Sequence, residues 1–493
     1  MYLYALTAPW LARLAYLFAC LALAGLLAAC GGGGSGADAT PPGGLNSAVV
    51  EAAPNTATTS LITTTINLDI MGYDESEYFL GGTARSYASS APLSVDGKWS
   101  VAAAGQAEEY KTRMVVYKPK SAAKFNGTVI VEWLNVSVGA DTAVDWVMAH
   151  NELIRSGYAY VGVSAQKTGV DTLKASSRYA ALSHPGDSYS YDIFSQAAKA
   201  VLKPQGINPL AGLTVQKMIA AGESQSANRL MTYANAFGTN RLFGQLFDGF
   251  FIHSRTYPFG AALSQAPQTT VPTPDGLLVR DDLPVPTMML QTEYDVYKFS
   301  SAAARQDDTP KFRLWEVAGT SHVDYYTVAG RADYGIDNSY ASVLESKTPL
   351  NCSAPVNSGP QHFVVSAAFA ALRTWIADGT APSIAPRIEV SGTPLNVLKD
   401  ALGNAKGGIR TPYVDAPVAT LSADGQPSGD TCTLFGTTKL FDSTLLNQLY
   451  SSHEDYVAKV EASVSAAVAK GFLLRADAAM INLSAQNSSV GVR

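Results

Sequence analysis

The chain has 493 residues, 47% hydrophobic and 15% charged, and its 35 basic and 41 acidic side chains give a formal net charge of −6. It exceeds an average single domain and has apolar residues enough for a large core, and α/β sheets of this length commonly form one unit. No lysine or arginine cluster marks a nucleic-acid surface, so nucleic acid is not an expected partner, and the charge balance names no substrate.

After Arg13 the run Leu14 to Ala29 is apolar and rich in leucine and alanine, short for a membrane span and suited to the apolar region of a secretory signal. It ends Leu27-Ala28-Ala29-Cys30-Gly31, which resembles the bacterial lipobox. The resemblance implies cleavage before Cys30, lipidation of its thiol and membrane attachment through a two-chain anchor. Gly31, where an aspartate would hold such a protein at the inner membrane, implies the outer membrane. An uncleaved signal anchor is the competing reading, because residues 2 to 12 are also largely apolar. Residues 31 to about 60, rich in glycine, alanine and threonine, read as a flexible tether, and residues 61–493 as the folded body.

Alternating segments follow, Thr65-Ile66-Asn67-Leu68-Asp69-Ile70 and Arg113-Met114-Val115-Val116-Tyr117, and predict antiparallel strands at the start of a sheet. Gly127 to Leu134 is the most strand-like run in this half of the chain, with Asn135-Val136-Ser137-Val138-Gly139 as its exit loop. From 128 to 390 strand-like and helix-like stretches alternate, which predicts an α/β fold with a mostly parallel central sheet covered by helices.

Within that region Thr214 to Ala221 reads as a buried strand and Gln225 to Phe237 as a helix stopped by Gly238. Between them stands Gly222-Glu223-Ser224-Gln225-Ser226, a pattern suited to a sharp strand-to-helix turn that exposes a serine hydroxyl. Gly33-Gly34-Ser35-Gly36-Ala37 fits the same pattern inside the tether, so only the flanking strand and helix favour Ser224. Gly222 and Ser226 are small, as close approach of strand and helix requires. Phe250 to Pro286, rich in proline, glycine and aromatics such as Tyr257, Pro258, Phe259, Pro272 and Pro274, reads as a cap insertion or as a plain surface excursion.

A serine hydroxyl needs a histidine to take its proton and a carboxylate to orient that histidine. Pro286 to Gln291 reads as a strand, with Thr292-Glu293-Tyr294-Asp295-Val296 as its exit loop. Phe312 to Val317 reads as the next strand, leading into Ala318-Gly319-Thr320-Ser321-His322. Among six histidines, His322 fits the base. His150 and His184 precede the serine, His253 precedes any acid loop, His362 begins a helix and His453 sits in a polar helical stretch. Asp295 is the favoured acid and Glu293 the alternative. An oxyanion site needs two N–H groups, expected from Gln225 and from Val136 or Asn135. Tyr325 and Tyr326 would line a pocket or join the core.

Residues from about 391 read as a C-terminal extension, with Asp442 to Lys470 helical and Val457, Val460, Val464 and Val468 on one apolar stripe. With Cys20 lost alongside the leader, Cys352 and Cys432 form an even pair in an oxidising compartment, and a disulfide between them follows. No CxxC or HExxH spacing suggests zinc.

Several segments together resemble the bacterial secreted or lipoprotein "alpha/beta hydrolase domain" proteins from about residue 65 to the C-terminus. They are Phe125-Asn126-Gly127-Thr128-Val129, Glu132-Trp133-Leu134-Asn135-Val136, His184-Pro185-Gly186-Asp187 and Tyr191 to Gln196, then Gly222 to Ser226, Ala318 to His322 and Gly471-Phe472-Leu473-Leu474. The resemblance implies the α/β-hydrolase fold, with Ser224 as nucleophile and His322 as base, and it supplies no substrate. The expected function is a serine hydrolase, a carboxylesterase acting on a small-molecule ester through an acyl-enzyme and requiring no metal or organic cofactor. An acyltransferase with the same residues and a surface lipoprotein that uses the fold for binding are the alternatives.

Overall fold

The computed structural model describes residues 45–492 except 56–58, 240–241, 259, 333–350 and 428–430. The expectations for Cys30, the leader, the tether up to residue 44 and Phe259 lie outside the described residues.

Ten strands form one sheet: β1 (Val49–Ala52), β2 (Tyr73–Ser89), β3 (Val101–Pro119), β4 (Thr128–Trp133), β5 (Ala159–Val163), β6 (Gln205–Gly206), β7 (Lys217–Glu223), β8 (Gly249–His253), β9 (Thr287–Thr292) and β10 (Phe312–Val317). Their spatial order is β10-β9-β8-β7-β4-β5-β3-β2-β1-β6. The six from β10 to β5 are mutually parallel, and β3, β2 and β1 continue antiparallel. The parallel strands bury both faces, which is why they read as unbroken apolar runs. Val129, Val131, Met218, Ala220, Phe250 and Ile252 enter the core beneath helices α3 (Ser190–Leu202) and α4 (Gln225–Phe237). Ile130, Ile219, Ala221, Phe251 and Leu290 enter the opposite core with α1 (Val144–Arg155) and α7 (Gln361–Asp378). Between these lie α2 (Lys167–Leu173), α5 (Glu293–Tyr297) and α6 (Tyr325–Ala329).

The chain leaves β4 toward β5 on one side and returns to β7 on the other. The carboxyl ends of β4 and β7 therefore flank a topological switch point, where open α/β sheets form their binding crevices.

Three sequence expectations shift. The strand expected at Thr65–Ile70 is coil, and the ladder starts at Tyr73, after Gly72 at φ 77°. Ile66 and Leu68 alternate because they insert into the core, while the Thr65 N–H bonds the carbonyl of Arg331 instead of a neighbouring strand. The tether expected to reach residue 60 ends earlier, because Ala48 and Val50 are buried and β1 pairs with β2. The helix expected over Asp442–Lys470 is two helices, Ser443–Leu449 and His453–Ala469, parted where the Ser452 hydroxyl caps the second by accepting from the Asp455 N–H.

Val460 and Val464 are buried and Val457 and Val468 half-buried in the core shared with α1 and α7. The last hundred residues thus complete the body's own core. Cys352 and Cys432 are joined by a disulfide. Among the described residues, the stretch between β8 and β9 has neither helix nor strand of regular length. It lies along α3 and α4, with Tyr191 Oη donating to the Ala262 carbonyl (2.8 Å), Thr232 Oγ1 to Ala261 (2.7 Å) and Asn235 Nδ2 to Leu278 (2.9 Å). No helix among the described residues is long and apolar enough to cross a membrane.

Candidate active site

The turn from β7 into α4 puts Ser224 at φ 55°, ψ −118°, a left-handed conformation that a non-glycine residue holds only under constraint from its surroundings. Two features hold it. The Ser224 N–H donates to the carbonyl of His253 at the end of β8 (2.9 Å). A Cβ on Gly222 would stand 3.0 Å from the Ser226 carbonyl oxygen, so a glycine there lets helix and strand close up.

The hydroxyl of Ser224 lies 2.8 Å from His322 Nε2, and His322 Nδ1 lies 2.7 Å from Asp295 Oδ1. Because the carboxylate accepts, Nδ1 carries the imidazole proton and Nε2 is left to accept from Ser224. Exposure grades inward: Ser224 keeps 9% of its surface, His322 4% and Asp295 none, so only the serine end is reachable. Asp295 is fixed in turn by a capping box, its Oδ2 accepting from the Thr292 N–H (2.8 Å) while Thr292 Oγ1 accepts from the Asp295 N–H (3.2 Å). Burial alone would raise the Asp295 carboxyl, but the charge and hydrogen bond of His322 outweigh it and hold the group below its usual range.

Of the two carboxylates that the sequence leaves open, Asp295 reaches His322. Glu293 turns the other way and accepts from the Gly319 N–H (2.9 Å), while its own N–H donates to Thr320 Oγ1 (3.2 Å). It braces the histidine loop. Burial pushes its carboxyl up to about 7. The same loop is held from farther along the chain: Ser321 Oγ and Val323 N–H both donate to the Leu434 carbonyl (2.7 and 3.1 Å), and Asn357 Nδ2 donates to Gly319 (3.3 Å).

One oxyanion expectation is corrected. The Asn135 N–H donates to the Thr142 carbonyl (3.0 Å) and is not available to a ligand. Its side chain instead ties β4 to the elbow, Nδ2 donating to the Glu223 carbonyl (3.0 Å) and to Glu223 Oε2 (3.1 Å). Val136, next in the same loop, and Gln225, at the first position of α4 where N–H groups lack intrahelical acceptors, remain as donors.

The other histidines stand apart from Ser224 Oγ. His184 Nε2 donates to the Ala165 carbonyl (3.0 Å) and its Nδ1 accepts from Gly186 N–H (3.2 Å). His362 stacks on Tyr326 at 3.7 Å, which makes Tyr326 a core residue, and burial with His150 nearby drives its imidazole down to about 3. His453 meets the carbonyls of Val490 and Gln486. His253 forms a second, fully buried pair with Asp145 (2.8 Å), but its other nitrogen faces Gln361 Nε2 (3.1 Å) and no nucleophile.

Two neighbours of His322 escaped the sequence reading. Phe299 packs edge-on against the imidazole, ring centres 4.8 Å apart. Glu223, whose only signal was its place directly before the serine, brings Oε1 to 3.6 Å from His322 Nε2. Among the described residues no group of three or more His, Cys, Asp or Glu side chains could hold a metal ion.

A sequence model of the family described as "Alpha/beta hydrolase domain" matches residues 47–482. None of the curated proteins matches the chain. Among solved structures, the chain is similar to fungal esterases from Rhizomucor miehei, at 11% identity and a TM-score of 0.32 over 64% of this chain and 93% of that one. It is also similar to a thermostable esterase from Pseudomonas putida, at 12% identity and a TM-score of 0.30 over 55% of this chain and 80% of that one.

Proposed function

Because this chain belongs to the alpha/beta hydrolase domain family, we propose that it is a serine hydrolase, a carboxylesterase that cleaves small-molecule esters through an acyl-enzyme on Ser224. The observation that carries this reading is the continuous hydrogen-bonded series Ser224–His322–Asp295 at the carboxyl ends of β7, β9 and β10. In the reaction Ser224 Oγ attacks the ester carbonyl while His322 Nε2 takes its proton and passes it to the leaving alcohol. Asp295 keeps the imidazole in the required tautomer and stabilises its cation. The N–H groups of Gln225 and Val136 receive the developing oxyanion.

A fluorophosphonate probe tests the proposal: wild type is labelled covalently, and Ser224→Ala is not. A folded wild-type protein that resists labelling would leave the fold as a binding module instead. The disulfide and the lipobox at Cys30 further support export to an oxidising compartment as a membrane-tethered protein. Mass spectrometry of the membrane-bound protein should find Cys30 as a lipidated N-terminus, and an unmodified Cys30 behind an intact leader would count against the lipid anchor.

A further inference from the structure

Glu223 is a buried carboxyl with one satisfied oxygen and one orphan. Oε2 accepts from Asn135 Nδ2 (3.1 Å), and Asn135 is itself clamped, its N–H on Thr142 (3.0 Å) and its Oδ1 accepting from Ser137 N–H (2.7 Å). Oε1 has no hydrogen-bond partner and negligible exposure. An unpartnered buried oxygen is costly and calls for a reason. It stands 3.6 Å from His322 Nε2, the nitrogen that also faces Ser224 Oγ at 2.8 Å. That span is too long for a direct hydrogen bond; Oε1 admits no water in the resting structure, and one water touches both atoms only where movement of Ser224 Oγ on acylation opens room beside them.

We propose that Glu223 positions the water that deacylates the enzyme, an inference that rests on the acyl-enzyme reading above. Once Ser224 Oγ carries the acyl group it has no proton to offer His322, and Nε2 must turn to water. One hydrogen of that water goes to Nε2 as its oxygen bonds the acyl carbon. The other is held by Glu223 Oε1. The tetrahedral intermediate then expels Ser224 Oγ, which takes the proton back from Nε2, and the carboxylic acid leaves. Glu223 neither gains nor loses a proton in this cycle. Its burial, with Asp145, Asp295 and Glu132 close by, pushes its carboxyl well above the usual range.

The test compares wild type with Glu223→Ala, Glu223→Met, which fills the same space without an oxygen, and Glu223→Gln, using a chromogenic ester in stopped flow and intact-mass spectrometry. Both apolar variants should acylate with a full burst, accumulate a Ser224 adduct, and lose at least about tenfold in the ratio of deacylation to acylation rate. Glu223→Gln should recover part of that loss, because its amide offers an oxygen at the same place. An unchanged ratio in whichever apolar variant folds overturns the role of Glu223 while leaving the hydrolase intact. Absence of both burst and probe labelling in wild type overturns the hydrolase reading itself.

Discussion

Asp295 and Glu293 lie two residues apart, both fully buried, yet their surroundings give them opposite chemistry. The charge and hydrogen bond of an imidazole hold Asp295 below its usual range, whereas burial pushes Glu293 up against the opposing pull of the Gly319 N–H. Asp295→Asn should therefore lower kcat by about 10⁴, as expected when the imidazole loses its tautomer control, with KM little changed. Glu293→Gln should act on stability. A carboxyl raised from about 4.5 to about 7 by folding binds more protons in the folded than in the unfolded state across that window, so its contribution is lost as pH rises through it. Denaturation midpoints of wild type and Glu293→Gln should diverge in the variant's favour between pH 5 and pH 8. A constant gap would show that Glu293 is not the titrating group. The sequence offered both carboxylates on one loop, and nothing in their spacing could say which would turn toward His322. That choice was made by the capping box, whose Thr292-x-x-Asp295 pattern fixes Asp295 at the start of α5.

At the level of elements, the elbow shows how much a local pattern can specify. The helix from Gln225 to Phe237 stands where its composition predicts, and the serine sits between it and a buried strand. The strand itself runs Lys217–Glu223, later than the apolar run suggests, because Thr214 to Gln216 serve the approach to β7. Gly222→Ala tests the close contact, since its Cβ would meet the Ser226 carbonyl and force α4 away from β7. The expected outcome is a stability loss of about 1–3 kcal/mol and a fall in kcat/KM of about tenfold or more, measured by thermal melts and ester kinetics. Undiminished activity would mean that the elbow tolerates a wider separation. The Asn135 expectation failed for a reason invisible to pattern reading: its N–H is taken by Thr142, seven residues on, in an isolated bridge with no periodic signature.

Over the whole molecule, the order of strands and of the Asp295 and His322 segments was legible because each lies within a few residues of an apolar run. The supports of His322 were not, because they come from afar: Leu434 and Asn357 lie in segments whose approach depends on the completed core. Cys432 is two residues from Leu434, and its bond to Cys352 spans 80 residues of sequence. Chain entropy for a loop of that size gives about 4 kcal/mol of stabilisation as a guide. Reduction under native buffer should lower the melting temperature and kcat together, with probe labelling of Ser224 slowed, and reoxidation should restore all three. A reduced protein with full kcat would show that the Leu434 segment holds the loop without its crosslink.

The seat of His322 also orders events in time. Synthesis delivers Ser224, Asp295 and His322 before the carbonyl of Leu434 exists, and the Gly319–Val323 loop, braced by Glu293 and Asn357, has its acceptor for Ser321 Oγ and Val323 N–H only in that later segment. The three side chains of the hydrogen-bonded series are therefore all synthesised before the last supports of the His322 loop, and its full seating arrives with the C-terminal segment.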